Sequence, residues 1–165
     1  MSFFRFLLGA DALSSFRQQR LLASLKAQGV ELETIEAQYL HFSWSESELD
    51  LKNQEILSSL LTYGQPFESK IMAGKSWFSK GSKGQEVAVV IPRFGTVSPW
   101  ASKATEIVRQ CAVNILRVER GIQYSWQSEH ELTPAQTAIV LGVIHDRMTE
   151  SVIRNADEAQ ASTKP

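Results

Sequence analysis

Cysteine is almost absent from the chain: Cys111 is the single one among 165 residues, so an intrachain disulfide is impossible. Such low cysteine content is typical of a reducing compartment, and we expect a cytoplasmic protein. Long hydrophobic runs are also lacking, since the apolar opening at residues 3–8 contains an arginine and is too short to cross a membrane. We therefore expect no membrane partner.

An excess of one charge is lacking as well. Lysine and arginine total 17 against 18 for aspartate and glutamate, which gives a formal net charge of −1. Nucleic-acid-binding domains usually need a basic face, and RNA-binding sheets need an aromatic and basic strand motif that this sequence does not contain. We expect no nucleic-acid partner. The composition, 43% apolar and 21% charged, is typical of one soluble globular domain.

The sequence motifs of several common chemistries are missing. His41, His130 and His145 stand far apart and none is close to Cys111, so we expect no metal site. There is no Walker loop, no G-x-G-x-x-G and no G-x-S-x-G, which leaves nucleotide cradling and serine hydrolysis without support. Cys111 falls on an apolar helical stripe, and this position predicts a buried structural thiol rather than a nucleophile.

The predicted order of elements is doubled. Apolar runs and turn residues predict strand, helix, strand and helix over residues 3–63, and the same four again over residues 87–148. The prediction is an α+β fold in which two βαβα half-units share one sheet, with the helices packed on it. The second helix is expected to follow Ser45, whose acidic neighbours suit a helix start. A break in the alternation near Glu36 predicts a β-bulge in the second strand.

Two segments fall outside this plan. Residues 65–85 are rich in lysine, glycine and serine and predict a long exposed loop. Its aromatic pair, Trp77 and Phe78, fits either a partner contact or packing over the chain's own core. From Asn155 the sequence is polar and small, which predicts a disordered tail or linker over residues 155–165. The expected domain is then residues 1–154.

The most informative stretch lies between the third strand and its helix. Ser98 fits the N-cap and Pro99 the first turn, so free backbone N–H groups point into a polar loop. A cap needs only Ser98, whereas the accompanying polar side chains favour contact with an anion or a partner, and both interpretations stay open. The candidate contact residues are Arg93, Thr96, Ser98, Ser102, Lys103 and Thr105.

A second polar cluster ends the last predicted helix. His145, Asp146, Arg147 and Glu150 follow one another closely, with Glu150 one helical turn from Asp146. Either a binding site or an ion-pair network that pins the helix end explains such a cluster, and the network is the commoner cause.

The loop and four other stretches closely resemble, in the same order, landmarks of the amino-terminal domain of phosphoribosylformylglycinamidine synthase. The resemblance covers residues 6–152. Phe94 stands where the family more usually has proline, which leaves the loop less rigid. The matching stretches are Ala12-Leu13-Ser14 with Phe16-Arg17, Pro92-Arg93 with Gly95-Thr96-Val97-Ser98-Pro99-Trp100, Ser102-Lys103-Ala104-Thr105-Glu106-Ile107, Val118-Glu119-Arg120-Gly121, and His145-Asp146-Arg147-Met148-Thr149-Glu150.

The resemblance implies a place in purine biosynthesis. The family makes formylglycinamidine ribonucleotide from formylglycinamide ribonucleotide, glutamine and ATP, and its amino-terminal domain resembles a dimer of the small separate PurS subunit, in keeping with the doubled order. The implied role is scaffolding: packing against the synthase domain, helping to complete the substrate side, and supporting the passage of ammonia from the glutaminase. Our candidates for the interface with those domains are Arg120, His145, Asp146, Arg147 and Glu150.

No catalysis is expected of these residues alone. The sequence includes neither the ATP-binding synthase domain nor the glutaminase with its own cysteine nucleophile, so no cofactor is expected here, and ATP and Mg are implied only for the full enzyme. The synthase and glutaminase domains are the expected partners, in cis or in trans. The alternative hypothesis is a stand-alone ferredoxin-like sensor that holds a phosphorylated ligand at residues 93–103.

Overall fold

The computed structural model describes residues 3–67 and 84–163. Most of the predicted loop at residues 65–85, including Trp77 and Phe78, lies outside the described residues. The elements are, in chain order, β1 (Phe3–Asp11), α1 (Ser15–Ala27), β2 (Thr34–Ser45), α2 (Leu51–Leu60), β3 (Gln85–Pro92), α3 (Pro99–Gln110), β4 (Arg117–Gln127), α4 (Pro134–Ile144), β5 (Glu150–Ile153) and α5 (Ala156–Thr163).

The described strands form one antiparallel sheet in the order β1-β2-β4-β3-β5. Strands β1 and β2 belong to the first half-unit, β3 and β4 to the second, and the pairing of β2 with β4 joins the halves at the centre. The prediction of an α+β fold with a shared sheet is confirmed. Strand β5 and helix α5 extend the doubled plan and were not predicted.

In the described part of the chain, helices α1 to α4 cover one face of the sheet. Ile35 of β2 and Trp126 of β4 pack with α1 and α4 in one buried cluster. Val118 of β4 packs with Leu57 of α2 and Val108 of α3 in another. Because alternate residues of a strand point to the same side, Val118 and Trp126 share this face. The helices therefore lie on it as two neighbouring pairs.

Helix α5 packs on the opposite face. Its Ala159 joins a buried cluster with Phe42 and Ile153, and the Thr163 hydroxyl accepts a hydrogen bond of 3.1 Å from Trp44 Nε1. The prediction of a disordered tail is therefore wrong for residues 156–163. Polar composition indicated disorder, but a helix that packs through small side chains such as Ala159 and Thr163 needs no apolar stripe.

The prediction of a bulge near Glu36 is wrong. Strand β2 pairs with β4 without a break from Thr34 to Trp44, and the register shift lies instead in β1, between Leu8 and Asp11. The alternation lapses there because three successive residues, Ile35, Glu36 and Ala37, are all buried. Apolar residues at successive positions are typical of a strand covered on both sides.

Three local predictions also need correction. Helix α2 starts only after Asp50, whose carboxylate accepts a hydrogen bond of 2.8 Å from Asn53 N, while Ser45 ends β2. Helix α4 ends at Ile144 because the chain turns there towards β5. Cys111 is exposed at the C-cap of α3 rather than buried, since the buried face of α3 follows Ala101, Thr105 and Val108.

Candidate functional site

Residues 92–99, hereafter the 92–99 loop, connect β3 to α3 as predicted. Thr96 N donates to Arg93 O at 3.0 Å, which closes a tight turn. Gly95 lies within it at a φ of +82°, a conformation that glycine adopts without steric cost. The loop ends at Ser98, whose Oγ accepts from Ala101 N at 3.0 Å. The predicted N-cap, followed by Pro99 in the first helical turn, is confirmed.

A buried carboxylate anchors this helix start to the sheet. Glu119 is only 1% exposed, and its Oε1 accepts hydrogen bonds from Ser98 Oγ at 2.8 Å and from Arg120 N at 2.9 Å. Its Oε2 accepts from Arg117 Nη2 at 2.9 Å. Both oxygens of this buried carboxylate therefore have hydrogen-bond partners. Ser98 is thus directed inward and is not available to a ligand.

The Arg117 guanidinium connects three separate segments. Besides Glu119, it donates to Thr96 O of the 92–99 loop at 3.2 Å and to Thr163 O of α5 at 3.0 Å. The planar guanidinium suits such divergent donation better than a lysine ammonium would. Sequence reasoning missed this centre. The sequence feature that could have revealed it is the pair of opposite charges, Arg117 and Glu119, two residues apart in β4. This spacing places both side chains on one face of the strand.

The second polar cluster, residues 145–150, lies beside the 92–99 loop. Arg93 N donates to Thr149 O at 2.9 Å, because β3 and β5 pair up to Pro92 and Glu150. Phe94 N also donates to Ser151 Oγ, at 3.3 Å. The fold therefore brings the two candidate sets together at one end of the sheet.

The 145–150 cluster is a hydrogen-bonded turn. Asp146 N donates to Glu150 Oε1 and Met148 N to Asp146 Oδ1, both at 2.8 Å. His145 is the C-cap of α4 and its ring nitrogen Nδ1 contacts Leu141 O, while Arg147 is exposed. Among residues 3–67 and 84–163, no salt bridge joins these side chains to one another. The expected ion-pair network is therefore wrong, because backbone groups take the place of the cations.

The six candidate residues of the loop and α3 do not form a single site. Thr105 is buried, and its Oγ1 accepts from Val118 N at 3.0 Å, which docks α3 on β4. Ser102 and Thr96 line a cleft on one side of α3, whereas Lys103 lines a groove on the other side. Arg93 is exposed at the start of the loop. The helix itself separates side chains that are neighbours in sequence.

The cleft has a volume of about 740 Å³ and lies between the 92–99 loop, α3 and the start of β4. Two arginines line it, but both are engaged. Arg117 is paired with Glu119, and Arg109 donates to Ile115 O and to Leu116 O, each at 2.9 Å. Glu106 adds a negative charge to the lining. This arrangement leaves no lining arginine free to meet a phosphate.

Arg120, an interface candidate, is held inside the domain. Its guanidinium lies between two rings, 4.5 Å from the Tyr39 centroid and 4.7 Å from the Trp100 centroid. Its Nη1 donates to Tyr63 Oη at 3.1 Å. A cation stacked on aromatic faces is attracted to both rings. Arg120 thus fixes the first turn of α3 through Trp100.

His41 completes this aromatic cluster. The imidazole is fully buried, and this burial, with the positive charge of Arg120 adding to its effect, lowers the pKa of His41 from 6.5 to about 4. His41 Nε2 lies 2.7 Å from Tyr63 Oη. The Tyr63 hydroxyl can accept from Arg120 and at the same time donate to the neutral imidazole. Gly9 leaves room for the ring, because a Cβ there would lie 2.6 Å from His41 Cε1.

Two further observations apply to the described ranges alone. Residues 3–67 and 84–163 contain no group of three or more histidine, cysteine, aspartate or glutamate side chains placed to bind a metal ion. In the same ranges, no helix combines the length and the apolar character needed to span a membrane.

The fold and the site define a small α+β domain whose motif residues mainly hold its own loops and its third helix in place. The family model described as formylglycinamide ribonucleotide amidotransferase N-terminal matches residues 38–162. The chain therefore belongs to this family, and the resemblance is confirmed for the motifs within the matched residues. Membership associates the chain with phosphoribosylformylglycinamidine synthase and with purine biosynthesis. The matched range includes the 92–99 loop, the 145–150 cluster and almost all of α5.

Proposed function

We propose that this chain is the scaffolding domain of a cytoplasmic phosphoribosylformylglycinamidine synthase. It packs against the ATP-dependent synthase domain, helps to complete the substrate side and supports the passage of ammonia from the glutaminase. Its own residues carry out no reaction. ATP and Mg are bound by the synthase domain, and the glutaminase domain supplies its own cysteine nucleophile.

The observation that best supports this proposal is the 92–99 loop, which is rigidly held and yet outwardly apolar. Glu119 and Arg117 fix its backbone from within. Two large apolar side chains nevertheless point outward, with Phe94 53% and Val97 57% exposed. Exposed apolar side chains on a fixed backbone are typical of protein contact surfaces, because little order must be gained on binding. Arg93 adds an exposed cation beside them.

The cleft beside the loop also favours a scaffolding domain over a sensor of a phosphorylated ligand. A sensor of a phosphorylated ligand needs cations free to meet the phosphate. Both arginines of the cleft already bind acceptors of the chain itself, and Glu106 would repel an anion. A neighbouring domain can instead meet the cleft with mixed polar groups, as interface rims commonly do.

Association in trans tests the proposal. The enzyme polypeptide lacking these residues is mixed with the chain, and the complex is measured by sedimentation and calorimetry. We expect a one-to-one complex that the double substitution Phe94→Asp, Val97→Asp weakens by about tenfold or more, since two apolar contacts are replaced by charges. Leu51→Asp is the control, because Leu51 is exposed at the start of α2 and outside the loop and the cleft.

Two results would contradict the proposal. One is the absence of any complex with the unsubstituted chain at micromolar concentrations. The other is tight binding of formylglycinamide ribonucleotide, or of another purine-pathway ribonucleotide, to the isolated chain, which would favour the sensor.

A further inference from the structure

A groove of about 500 Å³ runs between α2 and α3 on the helix-covered face of the sheet. Its walls are mainly apolar, with Leu60 and Tyr63 on one side and Trp100 and Ile107 on the other. Ile107 is 43% exposed, although it lies on the apolar stripe of α3. The volume of the groove is in the range of pockets that enclose ligand-sized groups. The groove is therefore deep enough to take apolar side chains of a partner.

The aromatic walls of the groove are held from behind. Arg120 stacks on Trp100 at 4.7 Å from the ring centroid and donates to Tyr63 Oη at 3.1 Å. Tyr63 also hydrogen-bonds to buried His41 at 2.7 Å. Both rings are fixed before anything binds. A binding partner therefore loses little affinity to the cost of ordering the Tyr63 and Trp100 side chains.

The charge of the groove has one sign. Lys103 is the one charged residue among those that line the groove, and it is exposed on the rim. Arg120 lies directly behind Tyr63 and Trp100. In the described part of the chain, neither cation has a carboxylate within ion-pair distance. The complementary occupant is apolar and carries a negative charge that meets Lys103.

We infer that this groove docks a short apolar segment of the synthase polypeptide, in which an aspartate or glutamate stands beside the apolar anchor. The anchor fills the space between Leu60, Trp100 and Ile107, and the carboxylate pairs with Lys103. This inference rests on the proposed scaffolding function. It adds a second contact surface, separate from the 92–99 loop, and states the chemistry of what binds there.

Two substitutions test the groove in the association experiment described above. Ile107→Asp places a charge at the apolar anchor and is expected to weaken the complex by about 30-fold or more. Lys103→Glu reverses the rim charge and is expected to weaken it by about tenfold at 50 mM salt. That second loss should shrink at 0.5 M salt, because exposed charge pairs are screened.

Matched controls separate these effects from general ones. Leu51→Asp is the control for Ile107→Asp, and Lys52→Glu is the control for Lys103→Glu. Both control residues are exposed on α2 and line neither the groove nor the cleft. Each control should bind like the unsubstituted chain. Circular dichroism and urea unfolding confirm that all four variants are folded.

The possible outcomes are distinguishable. If the unsubstituted chain binds and both groove variants bind equally well, the groove inference is overturned while the scaffolding proposal stands. If the unsubstituted chain does not bind, both are overturned. If the chain alone forms a dimer that Ile107→Asp dissociates, the occupant is a second copy, and the inferred synthase segment is wrong.

Discussion

Replacing Glu119 by alanine is expected to lower the free energy of unfolding by about 3–5 kcal/mol, because the change leaves a largely buried cation without its partner. Arg117 is 11% exposed and pairs with this carboxylate at 2.9 Å. The substitution also removes the acceptor of Ser98 Oγ. Urea unfolding followed by tryptophan fluorescence measures the loss.

Two comparisons identify the cause of that loss. Glu46→Ala removes an exposed carboxylate and should change the free energy of unfolding by less than about 0.5 kcal/mol. The double substitution Arg117→Met, Glu119→Leu removes both buried charges and should cost less than Glu119→Ala alone, because no unpaired charge remains. A loss below about 1 kcal/mol for Glu119→Ala would show that this carboxylate does not anchor the 92–99 loop.

Acidification from pH 6.5 to pH 4 is expected to destabilise the domain through His41. Its pKa is about 4 in the folded chain against 6.5 for an ordinary histidine. Between these values the unfolded chain binds the proton and the folded chain does not, so stability is lost as the pH falls through this window. The contribution of His41 is up to about 3 kcal/mol, fully present above pH 6.5 and lost by pH 4.

Comparing the unsubstituted chain with a His41 variant separates the effect of His41 from that of carboxylates, which also take up protons as the pH falls towards 4. The free energy of unfolding is measured at intervals from pH 7 to pH 4 for the unsubstituted chain and for His41→Gln, whose amide cannot take up the proton. The variant should show the shallower slope over this range. His130→Gln, which changes an exposed histidine, should keep the original slope. Equal slopes for His41→Gln and the unsubstituted chain would contradict a buried, neutral imidazole.

Local chemistry made part of this domain predictable. The N-cap at Ser98 and the proline after it depend on a few neighbouring residues, and both occur as predicted. The doubled order of strands and helices follows from periodicity within each segment, so the sheet shared by two half-units was also predictable. The family motifs were recognisable because each of them is a continuous stretch.

The features that were not predicted depend on contacts between residues that are far apart in the chain. Arg117 and Glu119 were visible as charges in a strand, but their bonds to Ser98 and to Thr163 join residues far apart in the chain. Helix α5 has no strong apolar stripe, so only its place against Trp44 reveals why it is ordered. The candidate residues around α3 were predicted as one set because they are close in sequence, whereas Ser102 and Lys103 face opposite sides of the helix.

We propose that this chain contributes position, and no chemistry, to the synthase. The most direct test adds the chain stepwise to the enzyme polypeptide that lacks it and measures formylglycinamidine ribonucleotide formed with glutamine or with ammonium as the nitrogen source. We predict that glutamine-dependent activity is low at first and rises to a plateau at one chain per enzyme. Full glutamine-dependent activity without the chain, or no rise once it is bound, would contradict the account.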